Sequence, residues 1–130
     1  MAFAALVRAL ALILIALVLV ASTNESNVPD ARPALVDRTF TSDYIDGMID
    51  ELVPLFKDAD MGSLFRNCFP NTLDTTVQYH TTSNDTFIIT GDIPAMWLRD
   101  SANQLMPYIP YCKRDKRLLA LSSTCLYCLC

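Results

Sequence analysis

TFIITGDIPAMWLRDSANQLMPY, residues 86–108, changes character halfway along. Residues 86–90 are β-branched or aromatic, the composition of a half-buried strand. Gly91 follows, and the backbone can turn sharply there because no Cβ forbids it. From Ser101 through Leu105 and Met106 the pattern is helical, with Asp100 as candidate N-cap. Pro107 and Pro110 limit that helix to about two turns. A strand passing into a helix through a glycine aims the intervening side chains into a cleft. Those side chains are Asp92, Trp97, Arg99 and Asp100, set among Ile93, Met96 and Leu98.

Charges in such apolar company are paired, hydrogen-bonded or functional, and two readings stand side by side. In the first, Arg99 forms a structural ion pair with Asp92 or Asp100 beside a core Trp97. In the second, the groups recognise carbohydrate: carboxylates and a guanidinium bond hydroxyls, and a flat aromatic covers the apolar face of a sugar ring.

Upstream, FPNTLDTTVQYH (residues 69–80) ends in a second β-rich run, residues 75–80, which predicts a hairpin with residues 86–90. Asn71, Thr72 and Asp74 read either as turn formers or as groups lining a site. Apolar positions Tyr44, Ile45, Met48, Ile49, Leu52 and Val53 recur at three-to-four spacing, predicting a helix up to Leu52, capped by Thr41 or Ser42 and ended by Pro54. A second short helix is predicted over 61–68, with Asp60 as cap and Pro70 as breaker. Downstream, Asp115 caps a last helix from Lys116 to Leu121. Residues 22–37 are polar, carry Pro29 and Pro33, lack apolar periodicity, and read as a linker.

The first residues stand apart from fold reasoning. Residues 9–20 form an unbroken apolar run preceded by Arg8, and small Ala21 and Ser22 follow. That layout predicts a cleaved signal peptide over 1–21, with delivery to the endomembrane lumen or secretion. The alternative is a single-pass anchor, since residues 2–21 are long enough to span a bilayer, and only then would the chain meet a membrane. Asn24-Glu25-Ser26 and Asn84-Asp85-Thr86 are glycosylation acceptors, at Asn24 and Asn84, in keeping with that route.

Net charge is −4 for the whole chain. Removing residues 1–21 takes away one arginine and leaves an acidic remainder with little to offer a phosphate backbone, so nucleic acid is not an expected partner. Five cysteines, Cys68, Cys112, Cys125, Cys128 and Cys130, leave one over after pairing. The terminal CLYCLC contains a C-x-x-C without the second cluster or surrounding fold that zinc or redox chemistry needs. His80, the single histidine, has no nucleophile in a matching context nearby, and no phosphate loop or metal-ligand spacing occurs, so no metal and no cofactor are expected.

FPNTLDTTV followed by FIITGDIPAMWLRDSANQLMPY resembles the N-terminal signature of glycoside hydrolase family 125. The resemblance covers residues 38–119, and TGDI-x-AMWLRDS-x-NQ is its most specific string. It implies a metal-independent, inverting exo-α-1,6-mannosidase, a mannose-containing glycan as substrate, and an (α/α)6 barrel. It further implies that Asp92, Trp97, Arg99 and Asp100 line the sugar-binding end of that barrel. The fold class expected here is accordingly mainly α: the N-terminal portion of such a barrel with a short β-hairpin, incomplete in this chain. Twelve helices need on the order of 350 to 400 residues at ordinary lengths. The family's acid and base belong to later segments, so no catalytic residue is assigned, and the chain alone is expected to be inactive. Inverting hydrolysis requires two carboxyl groups about 6.5 to 9.5 Å apart, one of them protonated. An arginine beside Asp92 and Asp100 suits sugar binding better than that acid role. Residues 120–130 read as a divergent, cysteine-rich tail. A sugar-binding module without catalysis is the alternative from another functional class.

Overall fold

A computed structural model describes residues 25–80 and 85–127, with the side chains of residues 79, 80, 126 and 127 left aside. The leader or anchor over 1–21, the acceptors Asn24 and Asn84, Cys128, Cys130 and the side chain of His80 lie outside the described residues. Among those described, no helix is long and apolar enough to cross a membrane.

The fold is mainly helical with one small sheet. In chain order the elements are α1 (Asp43–Leu52), α2 (Ala59–Cys68), α3 (Asn71–Thr75), β1 (Val77–His80), β2 (Asp85–Ile88), α4 (Leu98–Leu105) and α5 (Lys116–Tyr127), with 3-10 turns at Leu35–Asp37, Val53–Leu55 and Met106–Tyr111. The strands pair antiparallel with Val77 opposite Ile88 and His80 opposite Asp85. Alternation in β2 buries Thr86 and Ile88 and exposes Asp85 and Phe87, so one face meets the core. That core gathers Phe40 from the segment before α1, Ile45 and Ile49 of α1, Leu73 of α3, the two inward strand residues Val77 and Ile88, Leu105, Tyr108, and Leu118, Leu121 and Cys125 of α5.

Local chemistry explains where the helices start. Ser42 caps α1, its hydroxyl accepting the Ile45 N–H at 3.2 Å. Asp115 lies at the head of α5 and accepts the N–H groups of Arg117 (2.8 Å) and Leu118 (3.1 Å), as expected of its position. The α5 helix continues past Leu121 to Tyr127, because Leu121 and Cys125 lie on its buried face and carry the packing on. Helix α2 starts two residues before the expected point, capped by Asp58, whose Oδ1 accepts the Asp60 N–H at 2.9 Å. Asp60 is otherwise engaged: its Oδ1 accepts from Ser26 Oγ (2.9 Å) and the Asn27 N–H (2.7 Å).

Those contacts belong to a segment that sequence reasoning takes for a linker. Residues 26–38 run as a strap along α2 and across to α3 and α1. Asn67 accepts from the Ala31 N–H (3.1 Å) and donates to the Pro29 carbonyl (2.9 Å). Arg32 forks onto Asp74, Nε to Oδ2 at 2.8 Å and Nη2 to Oδ1 at 3.0 Å, and its Nη2 lies 2.8 Å from Asp46. Burial disfavours the Arg32 cation, but hydrogen bonds and charges from Asp74 and Asp46 outweigh that and raise its pKa. Arg38 stands 3.5 Å from Asp46 and 3.7 Å from Asp74. The partners lie more than thirty residues downstream for α2, α3 and their side chains, which local composition cannot reveal.

Candidate sugar-binding site

The site residues expected from sequence fall between the end of β2 and the first turn of α4. Gly91 sits at φ 119°, a backbone region that side chains rarely adopt, and so makes the expected turn out of the hairpin. Just before it, Thr90 Oγ1 donates to Asp92 Oδ1 at 3.0 Å. The Ile93 carbonyl then accepts the Ala95 N–H at 2.8 Å, folding the loop tightly towards Trp97. Trp97 is the N-cap residue of α4, contributing no side-chain cap, and its carbonyl accepts the first helical bond from the Ser101 N–H at 2.8 Å. Helix α4 thus begins three residues earlier than the position implied by Asp100 as cap; Asp100 lies in its first turn, where its charge favours the helix dipole.

Exposure bears on the reading of this strip as an ion pair beside a core tryptophan. Trp97 is 55 % exposed, Leu98 56 % and Ile93 44 %, so the tryptophan is no core residue. The Arg99 side chain is 86 % exposed and reaches Asp100, Nη2 to Oδ1, at 3.7 Å. Of the two aspartates considered as its partner, Asp100 is the one within ion-pair distance. A surface pair of this kind contributes at most about 1 kcal/mol, so it does not account for the strip as a structural device.

What the fold brings together is a shallow depression of about 410 Å3 lined by Thr90, Asp100, Asn103 and Gln104. Asp100 is in its wall, Arg99 is paired to that carboxylate, and Asp92 is tied to Thr90 on its rim. Trp97 is not among the lining residues. Asn103 and Gln104 also line a second depression of about 380 Å3, walled by Phe65, Phe69, Thr72, Pro107 and Tyr108. Thr90, Asn103 and Gln104 were not singled out from sequence. Their signal was available: Asp100, Asn103 and Gln104 are spaced i, i+3, i+4 and share one face of any helix that contains them.

Chemically, the depression offers one carboxylate, a guanidinium against it, two primary amides and a hydroxyl. Such a set both donates to and accepts from neighbouring hydroxyl groups. Gln104 donates Nε2 to the Ile89 carbonyl at 3.3 Å, while its Oε1 is buried without a hydrogen-bond partner among the described residues. No group of three or more potential metal ligands comes together among the described residues. Asn71, Thr72 and Asp74, read either as turn formers or as lining groups, do not act as one group. They form α3, a short helix, with Thr72 in the wall of the second depression and Asp74 buried against Arg32.

The family model for metal-independent α-mannosidases, glycoside hydrolase family 125, matches residues 58–127, from the head of α2 to the end of α5. The match begins later than residue 38, where the resemblance starts, and runs past Leu119 into the stretch read as a divergent tail. The meiotically up-regulated gene 157 protein of Schizosaccharomyces pombe (strain 972) is 46 % identical over 103 residues, which cover 77 % of this chain and 20 % of that protein. The chain therefore spans about a fifth of the length of that curated relative.

Proposed function

The chain belongs to the metal-independent α-mannosidase family, glycoside hydrolase family 125, and from that premise we propose that residues 89–104 form part of the glycan-binding surface of an exo-α-1,6-mannosidase. The supporting observation is the depression in which Asp100, Asn103, Gln104 and Thr90 converge within the family-matched segment. In this reading the amides and the Asp100 carboxylate bond the hydroxyls of a terminal mannose. Arg99 holds the carboxylate in place, Asp92 braces Thr90, and exposed Trp97 offers a ring face beside the helix start. The route of the chain is through the endomembrane lumen, on the strength of the apolar leader and the acceptor asparagines.

Bond cleavage with inversion takes two carboxyl groups set about 6.5 to 9.5 Å apart, one acting as acid and one as base. The depression contributes one carboxylate to its wall, and that one is engaged by Arg99. The proposal therefore gives the acid and base to the remainder of a polypeptide of the relative's length, with the present residues binding the sugar. The experiment is release of free mannose from α-1,6-mannobiose. It compares this chain, the fission-yeast relative, and a graft in which these residues replace the relative's matching segment. The expected outcome is no release by the chain alone and release by both the relative and the graft, falling by about a hundredfold or more in the graft with Asp100→Ala. Turnover by the chain alone would show that it holds its own acid and base. A folded but silent graft beside an active relative would remove the functional assignment.

A further inference from the structure

Ser101 is fully buried, at 0 % exposure, in a helix whose first turn is otherwise open to solvent. A buried hydroxyl is costly unless hydrogen-bonded, and once bonded it contributes only about 0.5 to 1.5 kcal/mol net. Burial alone would be served as well by alanine, which also has the higher helix propensity. The use of the hydroxyl is visible in its partner: Ser101 Oγ donates to the Ile88 carbonyl at 2.8 Å. One turn on, Gln104 Nε2 donates to the next carbonyl, Ile89 O, at 3.3 Å. The receiving backbone is itself fixed, because Val77 pairs with Ile88 and the Ile89 N–H donates to the Thr76 carbonyl at 3.1 Å.

Two side chains at i and i+3 on one helix face thus bond two successive carbonyls at the end of β2, and two such points set the rotation of α4 about its own axis. Asp100 and Asn103 each precede one of these anchors by one residue, about 100° around the helix at 3.6 residues per turn. Rotation of α4 therefore dictates where those two side chains stand relative to Thr90, which follows Ile89 directly. We propose that Ser101 is a positioning residue: by bonding the Ile88 carbonyl it sets the roll of α4 and so aims Asp100 and Asn103 into the glycan-binding depression. This rests on the functional reading above for its ligand, although not for its geometry.

The test uses the 15N-labelled chain with α-1,6-mannobiose as probe. Ser101→Ala is expected to weaken binding about three- to tenfold, the loss of one neutral hydrogen bond acting through geometry. It is also expected to move the side-chain amide resonances of Asn103 and the backbone resonances of residues 99–103 before any sugar is added. In the double variant with Asp100→Asn it should add less than it costs in the unaltered chain, because only the aim of Asn103 is then left to lose. Ser122→Ala removes another buried serine hydroxyl, on α5 and 3.4 Å from Cys112 Sγ, and should leave affinity unchanged, which separates positioning from stability. Should Ser101→Ala not fold, Ser101→Cys, similar in size and a weak donor, is expected to give the same changes in smaller degree. Unmoved Asn103 resonances, undiminished affinity, or an additive double variant would each overturn the proposal. If the unaltered chain does not bind mannobiose, the functional reading fails, and the sugar-free resonances still decide the role of Ser101.

Discussion

Tyr108 shows how one side chain in this fold joins packing to chemistry. Its ring is 2 % exposed and meets Phe69 at 5.4 Å between centroids, and its hydroxyl donates to the Phe69 carbonyl. Burial is the largest cause pushing its pKa up, to about 12. The folded value lies above the unfolded one near 10, so the neutral phenol stabilises the fold fully below about pH 10, and that contribution disappears as pH rises towards 12. Two units correspond to at most about 2–3 kcal/mol. In urea unfolding, Tyr108→Phe should cost about 1 kcal/mol at pH 7 through the lost hydrogen bond. The variant should then fall off less steeply than the native chain between pH 10 and 12; parallel alkaline curves would contradict this. Arg32 illustrates the opposite case for legibility. Nothing around it in sequence announces a buried fork onto Asp74, whereas Gly91, Ser42 and Asp115 declare their roles through rules that operate within a few residues.

At the scale of elements, helix starts were legible where the cap lay next to its helix and misplaced where a distant segment intervened. Asp60 has a cap's composition but is occupied by Ser26 and Asn27, so Asp58 does the capping. Asn71, Thr72 and Asp74 read as turn formers or lining groups because Asn and Asp commonly bond their own backbone in turns, and Thr75 reads as the start of a strand that in fact begins at Val77. Residues 71–75 form α3, in which the Asp74 N–H donates to the Pro70 carbonyl (2.9 Å), the Thr76 N–H donates to the Thr72 carbonyl (3.1 Å), and Leu73 is carried into the core. The heads of α1 and α5 are joined, since Ser42 Oγ also donates to Asp115 Oδ2 at 2.5 Å. Burial tends to raise the pKa of Asp115, but the bonds from Ser42, Leu118 and Arg117 prevail and lower it. A depressed carboxylate stabilises above its unfolded pKa of about 3.9 and loses that contribution as pH falls through the folded value. Ser42→Ala should therefore cost about 1–2 kcal/mol at pH 7 by loss of cap and link. The gap between native and variant should narrow as pH drops from 5 to 3 in thermal melts; a constant gap would show that the link to Asp115 carries none of it.

For the whole molecule, the individual helices and the hairpin followed from apolar spacing and β-branched runs, whereas the mainly α class and the family followed from the resemblance carried by one specific string. Hidden from sequence were the strap, whose ionic and hydrogen-bonding partners are contributed by three different helices, and the openness of the 91–100 strip. Ile93, Trp97 and Leu98 look like core by composition, yet α4 buries the stripe that begins at Ser101 and continues through Leu105, leaving its leading end outward. Beside that outward end, Asp100 and Asn103, with the partly buried Gln104, line the depression next to Thr90. The central claim is that these residues bind mannose, and the most direct measurement is a 1H–15N titration of the chain with α-1,6-mannobiose against isomaltose, its glucose counterpart. The account predicts saturable shifts at Asp100, Asn103, Gln104 and Thr90 with mannobiose, a dissociation constant of about millimolar, weaker shifts with isomaltose, and loss of the response in Asp100→Ala. Absence of shifts at those four residues, or a response unaltered by Asp100→Ala, would contradict it.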